Sequence, residues 1–157
     1  MIASPPEPCR QKSVACTGWQ RDRVCSLADI RRVVERVYIS LKENQFSEQE
    51  IFGVGLALEE AIVNAIKHGH QGRPGQSVLV RFQVGPDWVL VIVKDKGNGF
   101  DPNTVPDPCA PENLERPTGR GLFLMHAYMT WVRHNARGNC VAMGKRRREP
   151  PALPAVA

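Results

Sequence analysis

The stretch Glu60-Ala-Ile-Val-Asn64-Ala-Ile-Lys67-His68 contains a carboxylate, an amide and an imidazole that recur every four residues. On a helix, residues four apart lie on one face, so these three side chains would project together. A carboxylate can act as a general base, and an amide oxygen can bind a hard cation such as Mg²⁺. By itself, an E-x-x-x-N pair is typical of a solvated helix face, and a histidine at a helix end is typical of a cation favoured by the helix dipole.

Two glycine-rich segments follow in the sequence. Asp95-Lys-Gly97-Asn-Gly99-Phe100 ends an apparent strand, and Thr118-Gly119-Arg120-Gly121-Leu122 opens an apparent helix. An aspartate at a strand end can accept a hydrogen bond from the adenine amino group, and glycines before a helix leave backbone N–H groups for phosphate. Each segment alone is typical of an ordinary turn or loop. The three segments in this order predict an ATP site without a P-loop.

The order and residues of these segments resemble the GHKL ATPase superfamily, in particular its small anti-sigma-factor serine kinases of the RsbW type. The resemblance extends from Trp19 to Lys145. It places an N-box at residues 60–68 and two glycine boxes at residues 95–99 and 119–121. Residues 111–116 resemble the family's lid, with one departure. Two residues, Pro117 and Thr118, separate Arg116 from Gly119, where the family has one.

The resemblance implies a histidine-kinase-like ATPase fold and an ATP-dependent protein serine/threonine kinase that acts as an anti-sigma factor. Glu60 would be the catalytic base, Asn64 the Mg²⁺ ligand and Asp95 the adenine contact. The acceptor would be a serine of a STAS-type anti-anti-sigma protein, and a sigma factor would be the second partner in a partner-switching system. A homodimer is compatible with this reading. The other predicted nucleotide-binding residues are Lys67, His68, Gly97, Gly99, Phe100, Arg116, Thr118, Gly119, Arg120, Gly121 and Leu122.

Two alternatives remain open at this point. The first is the ATP-binding module of a sensor histidine kinase, which normally carries a helical dimerisation segment with a phosphoacceptor histidine. No room for that segment is expected here, and the four histidines lie in or after the ATP motifs. The second is a nucleotide-dependent binding module without phosphotransfer, against which the presence of Glu60 argues.

Length and composition predict one soluble domain. The chain has 157 residues, of which 42% are apolar and 24% charged. We expect an ATP-binding domain over residues 12–148 and disordered tails over residues 1–11, which have little apolar content, and 149–157, which are rich in proline and alanine. Apolar runs are too short for a membrane span, and there is no basic-then-apolar leader, which predicts a cytoplasmic protein without membrane attachment.

The distribution of charge and of cysteine residues argues against binding of nucleic acid and against a zinc site. The formal net charge is +5, and the run Lys145-Arg-Arg-Arg148 contributes much of it. No aromatic residues interleave this run, which favours a solvated terminus and no direct binding of nucleic acid. The five cysteines are scattered without a C-x-x-C pair, which predicts reduced thiols and no zinc site. Cys109 lies in a segment expected to be mobile.

The remaining patterns predict an α/β two-layer sandwich, with a mixed, mainly antiparallel sheet and helices on one face. A first strand is expected between Val14 and Cys25, and two capping boxes at Ser26–Asp29 and Ser47–Glu50 begin helices. Asp101–Pro117 has no periodicity and is interpreted as a lid. The helix stripes predicted to be buried are Leu27, Ile30, Val34, Val37 and Leu41, then Ile51, Val54, Leu58, Ile62 and Ala65. The later elements are strands at 78–84, 88–94, 131–135 and 139–143 and a helix at 122–130.

Overall fold

The computed structural model describes residues 17–70, 73, 75–104, 110–113 and 120–148. The N- and C-terminal tails lie outside these ranges, as do Cys9, Cys16 and Cys109; Cys25 and Cys140 are free thiols. Within the described part, no helix is long and apolar enough to cross a membrane. The strands are β1 (Gln20–Val24), β2 (Val78–Val84), β3 (Trp88–Lys94), β4 (Trp131–His134) and β5 (Cys140–Arg146). The helices are α1 (Leu27–Glu43), α2 (Glu48–Asn64) and α3 (Arg120–Tyr128).

The described strands form one sheet in the order β1-β2-β3-β5-β4, and all four of its pairs are antiparallel. Alternate residues of the central strands, such as Val80, Phe82 and Val91, are fully buried under the helices, whereas their neighbours are partly exposed. This alternation is what a sheet covered on one face requires. The predicted two-layer α/β sandwich is therefore confirmed; its sheet was predicted to be mixed and mainly antiparallel, and the pairs between the described strands are all antiparallel.

Helix α1 begins with the predicted capping box. The Ser26 hydroxyl accepts a hydrogen bond from the Asp29 N–H, and the Asp29 carboxylate accepts one from the Ser26 N–H. The predicted stripe is buried except for Leu27, which is 78% exposed. That prediction is wrong because residues 25–28 are all exposed, so the first turn of α1 extends beyond the core. Val33, outside the predicted stripe, is buried instead.

Helix α2 also begins with its predicted capping box, and its predicted stripe is entirely buried. Besides capping the Ser47 N–H, the Glu50 carboxylate accepts a hydrogen bond of 2.6 Å from the Arg148 N–H. The helix was predicted to stop near Gly69, and the helical run does end at His70. Its last six residues, Ala65–His70, form a π-helical turn, which is wider than an α-helical one and is common at functional sites.

Two buried glycines of α2 allow the neighbouring helices to approach closely. A Cβ on Gly53 would lie 2.6 Å from Cδ1 and 3.2 Å from Cβ of Tyr128 in α3. A Cβ on Gly55 would lie 2.4 Å from the end of the Tyr38 ring in α1. Each glycine therefore leaves the space that a tyrosine ring from a flanking helix occupies.

The segments after β3 complete the domain. Strands β4 and β5 form the predicted C-terminal hairpin, and β5 extends to Arg146, three residues beyond the predicted end. Of the loop predicted over Asp101–Pro117, the described parts contain two short 3₁₀ turns, Pro102–Thr104 and Pro111–Asn113. The interpretation of this loop as a lid rests largely on residues outside the described ranges.

The crossing of α2 and α3 yields a test of the packing. Gly53→Ala should destabilise the protein by about 1–3 kcal/mol, because the new methyl group overlaps Tyr128 close to its backbone, and this outweighs a gain in helix propensity of about 1 kcal/mol. Gly55→Ala is the matched control: it meets only the end of the Tyr38 ring, which can swing aside, so its cost should be smaller. Urea unfolding measures both. A Gly53→Ala variant as stable as the wild type would show that α3 is not packed as described.

Candidate active site

The C-terminal half of α2 and the N-terminus of α3 bring three predicted residues together. A Cβ on Gly121 would lie 2.7 Å from Glu60 Oε2, 3.0 Å from Asn64 Nδ2 and 3.6 Å from Asn64 Oδ1. Glycine is therefore the residue that lets the start of α3 sit against both side chains. The helix N-terminus, with its partial positive charge, faces a carboxylate and an amide.

Asp95 forms the second part of the site, at the end of β3. Its side chain is buried, with 7% exposed, and Oδ1 accepts a hydrogen bond of 2.6 Å from the Gly97 N–H. The backbone of Gly69, in the π-helical turn, lies against the carboxyl group, since a Cβ there would lie 2.4 Å from Cγ of Asp95. Among the described residues, no donor is hydrogen-bonded to the second carboxylate oxygen. Asp95 is thus fixed in position and still has an oxygen to offer a ligand.

Asn139, which the sequence analysis did not single out, holds the backbone around Asp95. Its carbonyl accepts from the Asp95 N–H at 3.0 Å, and its buried amide group donates to the carbonyls of Asp95 and Gly97 at 3.4 Å each. Asn135 in turn donates to the Asn139 side-chain oxygen at 2.8 Å. The β4–β5 hairpin therefore supports the loop of residues 95–100 that follows β3, which we call the aspartate loop.

The loop after β3 and the turn between β4 and β5 also cross closely, and this crossing explains why Gly99 and Gly138 are glycines. Gly99 and Gly138 have φ angles of +80° and +72°, which favour glycine. A Cβ on Gly99 would lie 1.7 Å from the Arg137 carbonyl oxygen, and one on Gly138 would lie 1.7 Å from that of Phe100. Gly99 was predicted as a nucleotide-binding residue; what the structure shows for it is a backbone crossing.

Asn64, from the first part of the site, and Asp95, from the second, both line one cavity between the helices and the sheet. Three aromatic rings lie in a row on its wall: the centroid of Phe100 lies 5.6 Å from that of His68 and 5.7 Å from that of His134. Apolar side chains from α2, β3, α3 and β5 line much of the rest. The lining includes Ala61, Asn64, Ala65, His68, Val93, Asp95, Phe100, Met125 and His134.

The remaining predicted residues divide into three groups. Lys67 and Arg120 are exposed, near Asn64 and at the start of α3 respectively. Leu122 packs against the core. Arg116, Thr118 and Gly119 lie outside the described residues, so the predicted phosphate loop is described only from Arg120 onward. His134 and Met125 were not predicted as site residues, because only the tertiary fold brings β4 and α3 to the cavity.

The arrangement suits a purine nucleotide. The cavity offers aromatic rings and aliphatic side chains to a planar base, with one fixed carboxylate at its edge, and Glu60, Asn64 and the α3 N-terminus lie beside it. For a metal, the described residues contain no cluster of three or more His, Cys, Asp or Glu side chains. A Mg²⁺ ion here would take few protein ligands and most of its oxygens from phosphates and water, as Mg²⁺ commonly does.

The comparison with known families agrees with this geometry. The model of the histidine kinase-like ATPase domain matches residues 21–145. This match covers most of the sequence, and the chain belongs to the histidine kinase-like ATPase family.

Several curated relatives carry the name serine-protein kinase RsbW. That of Oceanobacillus iheyensis is 29% identical over 107 residues, which cover 64% of this chain and 68% of the relative. That of Bacillus pumilus is 35% identical over 106 residues, covering 62% and 65%. That of Staphylococcus aureus strain MRSA252 is 31% identical over 84 residues, covering 49% and 53%. The chain thus spans between about half and about two thirds of the length of these relatives.

His134 should make stability depend on pH. Burial, and then the charge of nearby His126, lower the pKa of His134 below its ordinary value of 6.5. The folded state therefore favours the neutral ring, and the unfolded state binds the proton more readily, so stability should be lost as pH falls through about 6.5 toward the lower folded-state pKa. Urea unfolding at a series of pH values from about 8 to about 5, the range in which histidine ordinarily titrates, measures this.

The variants His134→Gln and His126→Gln separate the two causes. The loss of stability on acidification should be smaller in His134→Gln than in the wild type. His126→Gln should retain most of it, because burial is the larger cause. An unchanged pH profile in His134→Gln would mean that the ring is not held in its neutral form.

Proposed function

We propose that this member of the histidine kinase-like ATPase family is an ATP-dependent protein serine/threonine kinase that also acts as an anti-sigma factor. The observation that carries the proposal is that one cavity is lined both by the fixed, buried Asp95 carboxylate and by Asn64, and that Asn64 lies with Glu60 against Gly121 at the start of α3. The carboxylate suits adenine, and the group at the start of α3 suits phosphates and an attacking hydroxyl. Family membership and the names of the relatives support the same assignment.

At the adenine end, Asp95 would accept a hydrogen bond from the exocyclic amino group. Its Oδ1 is already bonded to the Gly97 N–H, so the second oxygen would make this contact. Guanine carries a carbonyl oxygen at the equivalent position, which would face the carboxylate with no proton to donate. The same residue would therefore supply both affinity and preference for adenine.

At the phosphate end, the start of α3 would bind phosphate oxygens through its backbone N–H groups, and Arg120 would add positive charge. Asn64 would hold Mg²⁺ through its side-chain oxygen; the bound ion would neutralise charge on the phosphates. Glu60 would take the proton from the incoming serine hydroxyl. The serine oxygen would form a bond to the γ-phosphorus as the bond between that phosphorus and the ADP oxygen breaks. The products are phosphoserine and ADP. Arg116, Thr118 and Gly119 would contribute from outside the described residues.

The acceptor and partners follow from the relatives and not from the cavity. Because the relatives are named serine-protein kinase RsbW, we assign a serine as the acceptor. The resemblance to small anti-sigma-factor kinases implies that this serine belongs to a STAS-type anti-anti-sigma protein. A sigma factor would be the alternative partner, held or released according to the phosphorylation state of the STAS protein. This function places the protein in the cytoplasm.

The role of Asp95 can be tested by titration calorimetry with ATP and GTP. Asp95→Asn should weaken ATP binding by about 1–3 kcal/mol, because the amide is a weaker acceptor than a buried, charged carboxylate. Its preference for ATP over GTP should shrink as well. Asp87→Asn, which changes an exposed carboxylate at the opposite end of β3, is the control and should bind as the wild type does. Unchanged ATP affinity in Asp95→Asn would remove Asp95 from the site.

The role of Glu60 can be separated from binding. Glu60→Gln keeps the size of the side chain but is a very poor base, so ATP affinity should persist while phosphotransfer to a STAS protein falls by about 10²-fold or more. Glu59→Gln, at the neighbouring exposed position, is the matched control and should keep full activity. A STAS protein with its serine changed to alanine reports background. Normal turnover by Glu60→Gln would refute its role as base.

Two other outcomes would change the assignment. Absence of transfer from the wild type to any STAS protein, with ATP binding intact, would favour a nucleotide-dependent binding module. Transfer to a histidine of a separate protein would favour a module related to sensor histidine kinases.

A further inference from the structure

Among the described strand residues, those on the face of the sheet opposite the helices carry positive charge and no negative charge. Of the fifteen strand positions that point to this face, six are cationic and none is acidic. These six charges exceed the formal net charge of the whole chain, +5, so the rest of the protein is close to neutral. We call this surface the outer face; its cationic residues are Arg21, Arg23, Arg81, Lys94, Arg133 and Arg146.

All three tryptophans of the chain lie at one end of the outer face. Trp19 directly precedes β1, Trp88 is the first residue of β3, and Trp131 is the first residue of β4. The antiparallel register brings these three strand beginnings to the same end of the sheet, where Leu90 and Trp131 both pair with Gly144. They are spread from one edge strand to the other, across four strand spacings or about 19 Å.

A row of arginines runs beside the tryptophans. The strand pairs Arg21↔Arg81 and Arg133↔Ala142, together with Arg81↔Ile92 and Ile92↔Ala142, place Arg21, Arg81 and Arg133 on one line across the sheet. This line lies about two residues, or about 6.7 Å, from the tryptophan end. The outer face thus presents an aromatic row and a parallel cationic row.

Each indole ring is packed against a neighbouring residue of the sheet. The guanidinium of Arg81 lies 4.9 Å from the ring centroid of Trp19, and that of Arg146 lies 6.0 Å from the ring centroid of Trp88. Trp19 is nevertheless 43% exposed. The Trp131 ring lies over Gly144, and its Nε1 is buried without a hydrogen-bond partner among the described residues. Three rings at a sheet surface, beside fixed positive charges, are suited to stacking with planar groups of a polyanion.

We propose that the outer face binds single-stranded nucleic acid, with bases stacked on the tryptophans and phosphates on the arginine row. Unpaired bases offer planar faces to aromatic side chains, and four-stranded RNA-binding sheets stack two or three bases in this way. A double helix hides its bases inside and would engage only the charges. An acidic protein would likewise use the arginines but would leave the tryptophans without a comparable role.

Two occupants from the protein itself fit the charge poorly. A second copy packed face to face would oppose six cations with six more. The tails are also poor complements: the sequence before Thr17 has one acidic residue, Glu7, against Arg10 and Lys12, and that after Arg148 has only Glu149.

This surface is separate from the candidate active site. The cavity lies under the helices on the other face of the sheet, and Asp95 follows β3 at the end opposite Trp88. Changes at the tryptophan row should therefore leave ATP binding intact, which gives each variant an internal check of folding.

The test is fluorescence anisotropy with labelled oligothymidine and oligouridine of about 12 nucleotides, within the range of known single-strand sites. The wild type should bind one or both more tightly than a duplex of equal length, with quenching of tryptophan fluorescence. Arg21→Ala/Arg23→Ala should weaken binding about tenfold and reduce the slope of log K against log salt by about 1.4. Arg31→Ala/Lys42→Ala, two exposed cations of α1, is the charge-matched control and should change neither value.

The aromatic part has its own control. Trp19→Ala should weaken binding about tenfold, whereas Phe123→Ala on α3, a ring of similar exposure (45%, against 43% for Trp19), should not. Four results would overturn the proposal: no binding by the wild type, equal effects of matched and control variants, competition by polyglutamate as strong as by the oligonucleotide, or a dimer that buries the tryptophans in sedimentation and quenching measurements.

Discussion

The contact between Gly69 and the Asp95 carboxyl group is the constraint on which the site depends. It joins the end of the α2 helical run to the end of β3, and so fixes the separation of the helix layer from the sheet at one point. Any side chain at Gly69 would push Asp95 away from its bond with the Gly97 N–H. The π-helical turn is wide enough to bring this backbone down onto the carboxylate, and Asn64, one turn earlier, then lines the same cavity.

Local sequence patterns predicted most of the helices and strands, because the formation of these elements depends mainly on nearby residues. The capping boxes at Ser26 and Ser47 and the alternating valines of β2 and β3 require only short-range information, and the structure confirms them. The exposure of Leu27 and the support of Asp95 by Asn139 depend on where a helix leaves the core and on how a distant hairpin pairs. Those facts are set by tertiary packing, which periodicity does not encode.

The clustering of charge on the outer face is another feature that sequence patterns along the chain do not predict. The run Lys145-Arg-Arg-Arg148 has no aromatic residues within it and was interpreted as a solvated terminus with no nucleic-acid contact. The tryptophans that accompany the cations come from positions 19, 88 and 131 and become neighbours only through the antiparallel register. A sequence pattern read along the chain misses a surface assembled across it.

The crossing of Gly99 with Gly138 also bears on how the protein is made. Strand β5 lies between β3 and β4, and Asn139 holds the Asp95 backbone from about forty residues further along the chain. During synthesis, both helices of the first half and strands β1 to β3 leave the ribosome before that hairpin exists. The nascent chain can therefore build much of its core early, but the aspartate loop takes its final shape only when the last strand is inserted, so the domain is nearly whole before its pocket is formed.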